Sequence, residues 1–304
     1  MSANKLVITL PSDREILMTR EFDAPRALVW EMFTKPEHIR KWWGCEHLDM
    51  TVCEVDLRVG GEYRYVGKTP DGNICPFKGV HHEIVYPEKI VFTEIFDVDM
   101  ARDHPGLVTT TFTEHDGKTT MRVLIRYDSK ETRDIVLSTG MEHGAAAGYD
   151  MVEQLLGDLA QLTLTREFAA PRTLVWQAWT EPKQFAKWFG PQGFTIPRIE
   201  LDVRTGGAIR CDMRAPDGTT FTNLGNFTEV VEPERLGCTL RYEQNGDVVF
   251  ENLNLVTFAE QPGKTVLTLS VRVIRANADA PQYLRGMREG WIQTLDKLGE
   301  LVTR

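Results

Sequence analysis

The chain repeats itself at an offset of 146 residues, and this repeat constrains the fold more than any local pattern. The segment from Arg20 to Trp30 returns from Arg166 to Trp176, and 14 of the 25 positions between Arg20 and Gly44 are identical at this offset. A period this long is far outside the range of solenoid repeats and indicates a duplicated globular domain. We therefore predict two domains, residues 1–158 and 159–304, joined directly because no Gly/Ser or Pro linker separates them.

Length and composition agree with two folded domains. A chain of 304 residues divides into halves of about 150, each large enough to bury its own core. The hydrophobic share of 42% and charged share of 26% are typical of soluble globular proteins and exclude collagen-like and disordered classes. Since no apolar run approaches ~20 residues, we expect no membrane span, and the first ten residues lack the pattern of a signal peptide.

Charge and cysteine usage exclude further classes. The net charge is −9, and it arises in the first 158 residues, which carry 18 Lys and Arg against 27 Asp and Glu. An acidic chain is a poor binder of nucleic acid, because that binding neutralises phosphates. The five cysteines contain no C-x-x-C pair, so neither a disulfide framework nor a cysteine zinc site is indicated. We therefore expect reduced thiols and a cytoplasmic location. We also expect no cofactor, since no phosphate-binding motif is present.

Each repeat has the same predicted order of elements. In repeat one, alternation predicts a strand over residues 15–22, proline marks short helices starting after Pro25 and at Pro36, and residues 48–127 alternate as six strands. A long amphipathic helix closes the repeat, from about Leu137 to Leu156. In repeat two, the apolar residues that recur at intervals of three and four in this helix are Leu284, Met287, Trp291, Leu295, Leu298 and Leu301.

Four motifs support a family resemblance. They are Ala-Pro-Arg-x-x-Val-Trp, Thr-x-Pro followed by Trp-Trp-Gly or Trp-Phe-Gly, Asp-x-Arg-x-Gly-Gly, and Gly-Met-x-x-Gly at the final helix. Together they resemble the START-like (SRPBCC) superfamily, in the branch named after the C-terminal domain of the activator of the heat-shock protein 90 ATPase. The resemblance implies an α+β fold of two tandem helix-grip domains. Each would have a curved antiparallel sheet of about seven strands, two short helices, and a long C-terminal helix over a cavity.

The resemblance leaves the function open, because one fold supports many functions. It implies an apolar cavity, which members use for lipid or polyketide binding, ring closure, sequestration of reactive molecules, or chaperone contact. We predict that the chain binds an apolar, aromatic or lipid-like small molecule, mainly in repeat one. Two alternatives stay open: an enzyme acting on a hydrophobic substrate, and a protein that contacts a chaperone.

Comparison of the repeats predicts unequal cavities. Repeat two has Trp291 on the apolar stripe of its final helix, where repeat one has Ala145. An indole would fill space that an alanine leaves open, unless bulky sheet residues in repeat one compensate. The aromatic residues that follow the second helix either line the cavity mouth or pack in the core. The candidate ligand-binding residues are Trp42, Trp43, Phe77, His81, Met141, Gly144, Ala145, Trp188, Phe189, Phe227, Met287 and Trp291.

Polar chemistry is expected in repeat one, which holds all seven histidines. Strand alternation places His81 on the same inward face as its counterpart Phe227, so it is a candidate acid-base group. Glu83 shares that parity and either polarises His81 or forms a structural ion pair. A metal site at His81, His104, His143 or His47 has no ligand spacing to support it, and we predict none.

Overall fold

The computed structural model describes residues 5–44, 48–99 and 102–303. Contacts between Cα atoms divide the chain into two compact units, Met1–Gly157 and Asp158–Arg304, called domain one and domain two below. Each unit pairs one antiparallel sheet with several helices, so the predicted tandem α+β fold is confirmed. Of the helices formed by the described residues, none has the length and hydropathy that a bilayer crossing requires.

Domain one is an eight-stranded antiparallel sheet with four helices among its described residues. Its elements are β1 (Val7–Thr9), β2 (Glu15–Phe22), α1 (Arg26–Thr34), α2 (Pro36–Trp42), β3 (Asp49–Val55), β4 (Glu62–Lys68), β5 (Ile74–Val85), β6 (Lys89–Phe96), β7 (Gly106–His115), β8 (Lys118–Arg126), α3 (Lys130–Ser138) and α4 (Met141–Ala160). The strand order is β1-β2-β8-β7-β6-β5-β4-β3, so β3 to β8 form a meander that β2 joins at its far side.

Domain two repeats this plan without the additional first strand. Its elements are β9 (Gln161–Phe168), α5 (Arg172–Thr180), α6 (Pro182–Trp188), β10 (Thr195–Leu201), β11 (Ala208–Arg214), β12 (Thr220–Val231), β13 (Arg235–Gln244), β14 (Asp247–Gln261), β15 (Lys264–Ala276), α7 (Ala280–Leu284) and α8 (Met287–Val302). The strand order is β10-β11-β12-β13-β14-β15-β9. The predicted strand, two short helices and six further strands are therefore confirmed in both domains.

The prediction of one closing helix was wrong at its start. In domain one the helix expected from about Leu137 is two helices, because Gly140 takes the left-handed conformation at φ 74° and ends α3 before α4 begins. In domain two Leu284 belongs to the short helix α7 rather than to α8. Leu284 is nevertheless buried, since α7 also turns an apolar side chain inward. Sequence spacing therefore identified the buried positions but not the break between the helices.

The apolar faces of the final helices complete the two cores. On α4 the side chains of Val152 and Leu156 are buried, and on α8 those of Leu295 and Leu298 are fully buried. The first helix contributes Leu28 in domain one, as its helical spacing predicts. Each sheet is thus covered at one end by tight packing of the final helix.

A glycine on the third strand of each meander permits a close approach that shapes the sheet beside the cavity. A Cβ built at Gly79 would lie 1.7 Å from the backbone oxygen of Thr93 and 2.6 Å from a ring carbon of Tyr63. At the equivalent Gly225, a Cβ would lie 1.8 Å from the oxygen of Thr239. Because the nearest obstructing atom at each glycine belongs to the backbone, it cannot move aside as a flexible side chain could.

Gly79→Ala is expected to destabilise domain one by at least about 2 kcal/mol, since overpacking of this kind forces backbone shifts. Gly157→Ala on α4 is the matched control, because a Cβ there has no atom within 4 Å. It should stabilise the chain by roughly 0.5–1 kcal/mol through the helix preference of alanine. Chemical denaturation of both variants measures the difference. Equal stability of the two variants would contradict the assignment of Gly79 to a close approach.

Candidate functional site

Domain one encloses a cavity of about 400 Å³ between its sheet and the helices α1, α2 and α4. Domain two has a cavity of only about 40 Å³ at the corresponding place. Small-molecule sites commonly occupy about 300–1,000 Å³, so only the first cavity reaches that size. The two domains share a fold and differ about tenfold in enclosed space.

The side chains of the final helices contribute to this difference. Ala145 and Gly144 line the large cavity, and a Cβ built on Gly144 would have no atom within 4 Å. In domain two the Trp291 indole lies against two aromatic residues, with ring centroids 6.3 Å from Trp179 and 5.7 Å from Phe189. The indole therefore fills space that remains open above the sheet of domain one.

The structure brings most of the predicted ligand-binding residues to the two cavities. The large cavity is lined by Trp42, Trp43, Phe77, His81, Met141, Gly144 and Ala145. The small cavity is lined by Phe189, Phe227 and Trp291. Two predicted residues lie elsewhere: Trp188 is fully buried in the core of domain two, and Met287 packs against that core. For Trp188 the alternative of core packing is correct, and its indole N–H donates to the Ala178 carbonyl at 2.8 Å.

Aromatic rings form a continuous wall on one side of the large cavity. The ring centroid of Trp43 lies 5.0 Å from that of Phe77 and 5.4 Å from that of Tyr65. Tyr63 continues the series, with its centroid 4.8 Å from Tyr65 and 5.5 Å from Phe92. These separations lie in the range of favourable ring packing, so the rings support one another. We call Trp43, Phe77, Tyr65, Tyr63 and Phe92 the aromatic wall.

His81 faces the cavity as predicted, and a hydrogen bond to the backbone fixes the orientation of its ring. Its Nδ1 lies 3.1 Å from the backbone oxygen of Gly61, which only accepts, so Nδ1 carries the proton. The imidazole packs beside the rings of Tyr63 and Phe92, at 5.7 and 6.1 Å between centroids. Burial lowers the pKa of His81 and so favours the neutral ring, which leaves Nε2 as an acceptor.

Glu83 does not share the inward face of His81. A β-bulge between these two residues interrupts the pairing of β5 with β6 and ends the alternation on which the prediction depended. The Glu83 side chain is 46% exposed, and its carboxylate pairs with Lys89 Nζ at 2.8 Å. The equivalent Glu229 pairs with Arg235 at 2.6 Å. Glu83 is therefore a structural ion-pair partner, the second of the two alternatives stated for it.

A different carboxylate, Glu94 on β6, lines the cavity. Removal from water raises the pKa of Glu94 to about 7, and burial is the cause of that shift. Tyr63 and Tyr65 face it from β4, Tyr127 follows β8, and Tyr149 lies on α4. The pKa of each tyrosine is raised, first by burial and further by the charge of Glu94, which indicates that the hydroxyls lie near its carboxylate.

Sequence reasoning missed Glu94 and the tyrosines, although the repeat carried a signal for them. At the 146-residue offset, six polar residues that line the large cavity have less polar counterparts in domain two. The pairs are Tyr63 and Ile209, Tyr65 and Cys211, His81 and Phe227, Glu94 and Leu240, Thr110 and Val256, and Tyr149 and Leu295. Since domain two folds with the apolar set, the polar set is not a requirement of the fold.

The other histidines and the cysteines build no comparable centre. Within residues 5–44, 48–99 and 102–303, no three His, Cys, Asp or Glu side chains are grouped so that they could hold a metal ion. His104 lies 2.7 Å from Asp128, while His143 is 84% exposed. His47, named among the possible ligands above, lies outside the described residues.

Comparison with known proteins identifies a family in both halves of the chain. The family model described as activator of Hsp90 ATPase homolog 1-like protein matches residues 23–157 and again residues 169–303. A search of curated proteins gives no match.

Several solved structures are similar to one domain or to the whole chain. A Rhodobacter sphaeroides protein is 22% identical over 51% of this chain and 99% of its own, with a TM-score of 0.47. Protein NE0264 from Nitrosomonas europaea is 30% identical over 47% of this chain and 94% of its own, with a TM-score of 0.40. The di-domain ARO/CYC BexL from the BE-7585A biosynthetic pathway is 17% identical over 96% of this chain and 99% of its own, with a TM-score of 0.38.

Glu94→Gln is expected to change how stability depends on pH. The pKa of this carboxyl is about 7 in the folded chain against an ordinary 4.5, so the folded state favours the proton. Wild-type stability should therefore fall relative to the variant between pH 4.5 and 7, by at most about 3–4 kcal/mol at 1.36 kcal/mol per pKa unit. Denaturation curves across pH 4–8 measure this. Parallel pH profiles for the wild type and Glu94→Gln would contradict the burial of the charge.

Trp291→Ala is expected to destabilise domain two by about 2–3 kcal/mol. This is below the ~3–5 kcal/mol typical of a fully buried tryptophan, because part of the indole is exposed. Arg288→Ala on an exposed position of the same helix is the control, and it should change stability by less than about 0.5 kcal/mol. Chemical denaturation compares the two variants. A loss as small as that of the control would show that the indole does not fill the domain.

Proposed function

The chain belongs to the family of activator of Hsp90 ATPase homolog 1-like proteins in both of its halves, and from this premise we propose that it binds a small molecule in domain one. The ligand is apolar over most of its surface and of aromatic or lipid-like character. The single observation that carries the proposal is the cavity of about 400 Å³, against about 40 Å³ in a second domain of the same fold.

The lining supports an aromatic or alkyl ligand. Most of the wall consists of rings and aliphatic side chains, which favour apolar groups by excluding water from both surfaces. The aromatic wall offers ring faces and edges at little cost in rotamer entropy, since aromatic side chains have two torsions. Helix α4 presents Gly144 and Ala145 opposite, so the ligand can lie between the helix and the sheet.

In this proposal, the described residues of domain two enclose no ligand-sized cavity. Its small cavity is closed by Trp291 and Phe189, and it leaves room for about one or two water-sized groups rather than a ligand. Asn254 is the amide residue in that lining; it is 3% exposed, and its side chain lies beside the thiol of Cys238. We assign domain two a structural part in the chain and domain one the ligand.

The cavity proposal and the chaperone alternative differ in what blocks binding. A chaperone would contact the outer surface, so filling the cavity would leave that contact unchanged. The enzyme alternative pairs His81 with Glu83, but Glu83 lies on another face of the strand and pairs with Lys89, so the predicted acid-base pair is not formed. Binding is therefore the function that the geometry supports best.

Ala145→Trp is expected to abolish small-molecule binding in domain one, because it introduces the indole that closes domain two. The neutral probe 2-(naphthalen-2-yl)ethanol, titrated by calorimetry, measures the effect. Stability should change by less than about 1.5 kcal/mol, since the ring enters open space rather than a packed core. His143→Trp is the control, because the same ring is added to a side chain that is 84% exposed on the same helix.

Two results would contradict the proposal. In one, the probe binds Ala145→Trp as tightly as it binds wild type and His143→Trp. In the other, Ala145→Trp unfolds domain one, as insertion into a tightly packed core would, which would show that the cavity is not open in solution.

A further inference from the structure

One carboxylate in the large cavity has no cationic partner to explain it. Glu94 lines the cavity from β6, and within the described part of the chain no Lys, Arg or His forms an ion pair or hydrogen bond with it. The nearest lysine in the strand pairing, Lys78 opposite Ile95, pairs instead with Asp97 at 2.9 Å. Glu94 is half-buried in the cavity wall and has no cation among the described residues to balance its charge, so the carboxylate is neutralised by a proton, solvated by water or paired with a ligand.

The fold itself does not need a charge at this position. Domain two has Leu240 at the equivalent place on β13, where it lines the small cavity. A leucine in domain one would fill apolar space without the desolvation cost that raises the pKa of Glu94. The domain that lacks a ligand-sized cavity lacks the carboxylate, and the domain with the cavity retains it. This association suggests a contact between the Glu94 carboxylate and a ligand in the cavity.

The surroundings of Glu94 favour a positive group. Tyr63 and Tyr65 of the aromatic wall line the same cavity, with ring centroids 4.8 Å apart, and the negative faces of aromatic rings attract cations at about 6 Å or less. Residues 1–158 carry a net charge of −9, which raises the local concentration of cations and repels anionic ligands. Tyrosine hydroxyls and the Nε2 atom of His81 add acceptors for N–H groups.

We propose that Glu94 and the aromatic wall bind an organic ammonium group, so that the ligand of domain one is an amine with an apolar, ring-sized body. The proposal rests on the function proposed above and names the chemical class of its ligand. Glu94 supplies the counter-charge, the aromatic wall supplies cation–π contacts, and the space beside Gly144 and Ala145 holds the apolar body. Two partners of these kinds distinguish an ammonium from a neutral ligand of the same shape.

Binding of an ammonium should depend on pH through Glu94. The ionisable groups that face it are Tyr63 and Tyr65 from β4, His81 from β5, Tyr127 after β8 and Tyr149 from α4, while β7 faces it with uncharged side chains. All four tyrosines have pKa values raised by burial and stay neutral, and burial holds His81 toward its neutral form. Glu94 therefore controls the charge, and amine affinity should rise from pH 5 to pH 8.

A matched pair of probes tests the proposal: 2-(naphthalen-2-yl)ethylamine and 2-(naphthalen-2-yl)ethanol, which share the ring body and differ in the terminal group. Calorimetric titration of the full chain at pH 8 should show the amine binding at least about tenfold more tightly than the alcohol. Glu94→Gln should reduce this preference to about one while leaving the alcohol affinity within about threefold. The pH dependence of the preference should disappear in the same variant.

Two further variants complete the experiment. Glu83→Gln neutralises a carboxylate that lies outside the cavity, and it should retain the full preference for the amine. Glu94→Leu copies domain two and should also lose the preference, so the result does not depend on the folding of one variant.

Each negative result identifies which of the two proposals, the ammonium assignment or the binding of a small molecule, is wrong. Equal binding of amine and alcohol to the wild type, or a preference that survives in both Glu94 variants, overturns the ammonium assignment while cavity binding stands. A preference that Glu94→Gln keeps and Glu94→Leu loses also overturns it, because Glu94 then acts as a neutral hydrogen-bond donor. Absence of binding by both probes overturns the ammonium assignment together with the proposed function.

Discussion

The packing of the final helix against the sheet, and the side-chain volume at one of its positions, limit the space that each domain encloses. In both domains the end of the helix packs tightly, with Leu156 or Leu298 buried against the sheet. Nearer its start the helix lies over space that a side chain either fills or leaves open. Trp291 fills it with an indole stacked on Trp179, whereas Ala145 leaves it open. Since packed interiors tolerate few voids, this difference in enclosed volume is a major departure between two domains of the same fold.

The polar groups that line the large cavity also differ between the two domains. His81, Glu94, Tyr63 and Tyr65 face the space in domain one, and their counterparts in domain two are Phe, Leu, Ile and Cys. Polar groups buried without full hydrogen bonding reduce stability, and the raised pKa of Glu94 expresses that cost. Domain one therefore carries polar side chains at cavity positions where domain two carries less polar ones.

Much of the fold could be predicted because its signals are local. The 146-residue repeat, the alternation over residues 48–127 and the prolines at the helix starts each act over short stretches of chain. The break at Gly140 was missed because the helical spacing continues through it, although the backbone there takes a left-handed turn. The short strand β1 was missed too, because it pairs with β2 at the sheet edge and carries little pattern of its own.

The sequence by itself determined the two domains, the order of their elements, and the inward direction of His81 and Ala145, because repeat comparison and periodicity carry that information. Tertiary structure alone decided which side chains share one space. The β-bulge after His81 turned Glu83 outward, and the pairing of β6 between β5 and β7 brought Glu94 inward beside tyrosines from β4 and α4. Strand register and helix placement are long-range properties, set by the packing of the whole sheet, so no local pattern around Glu94 could show its surroundings.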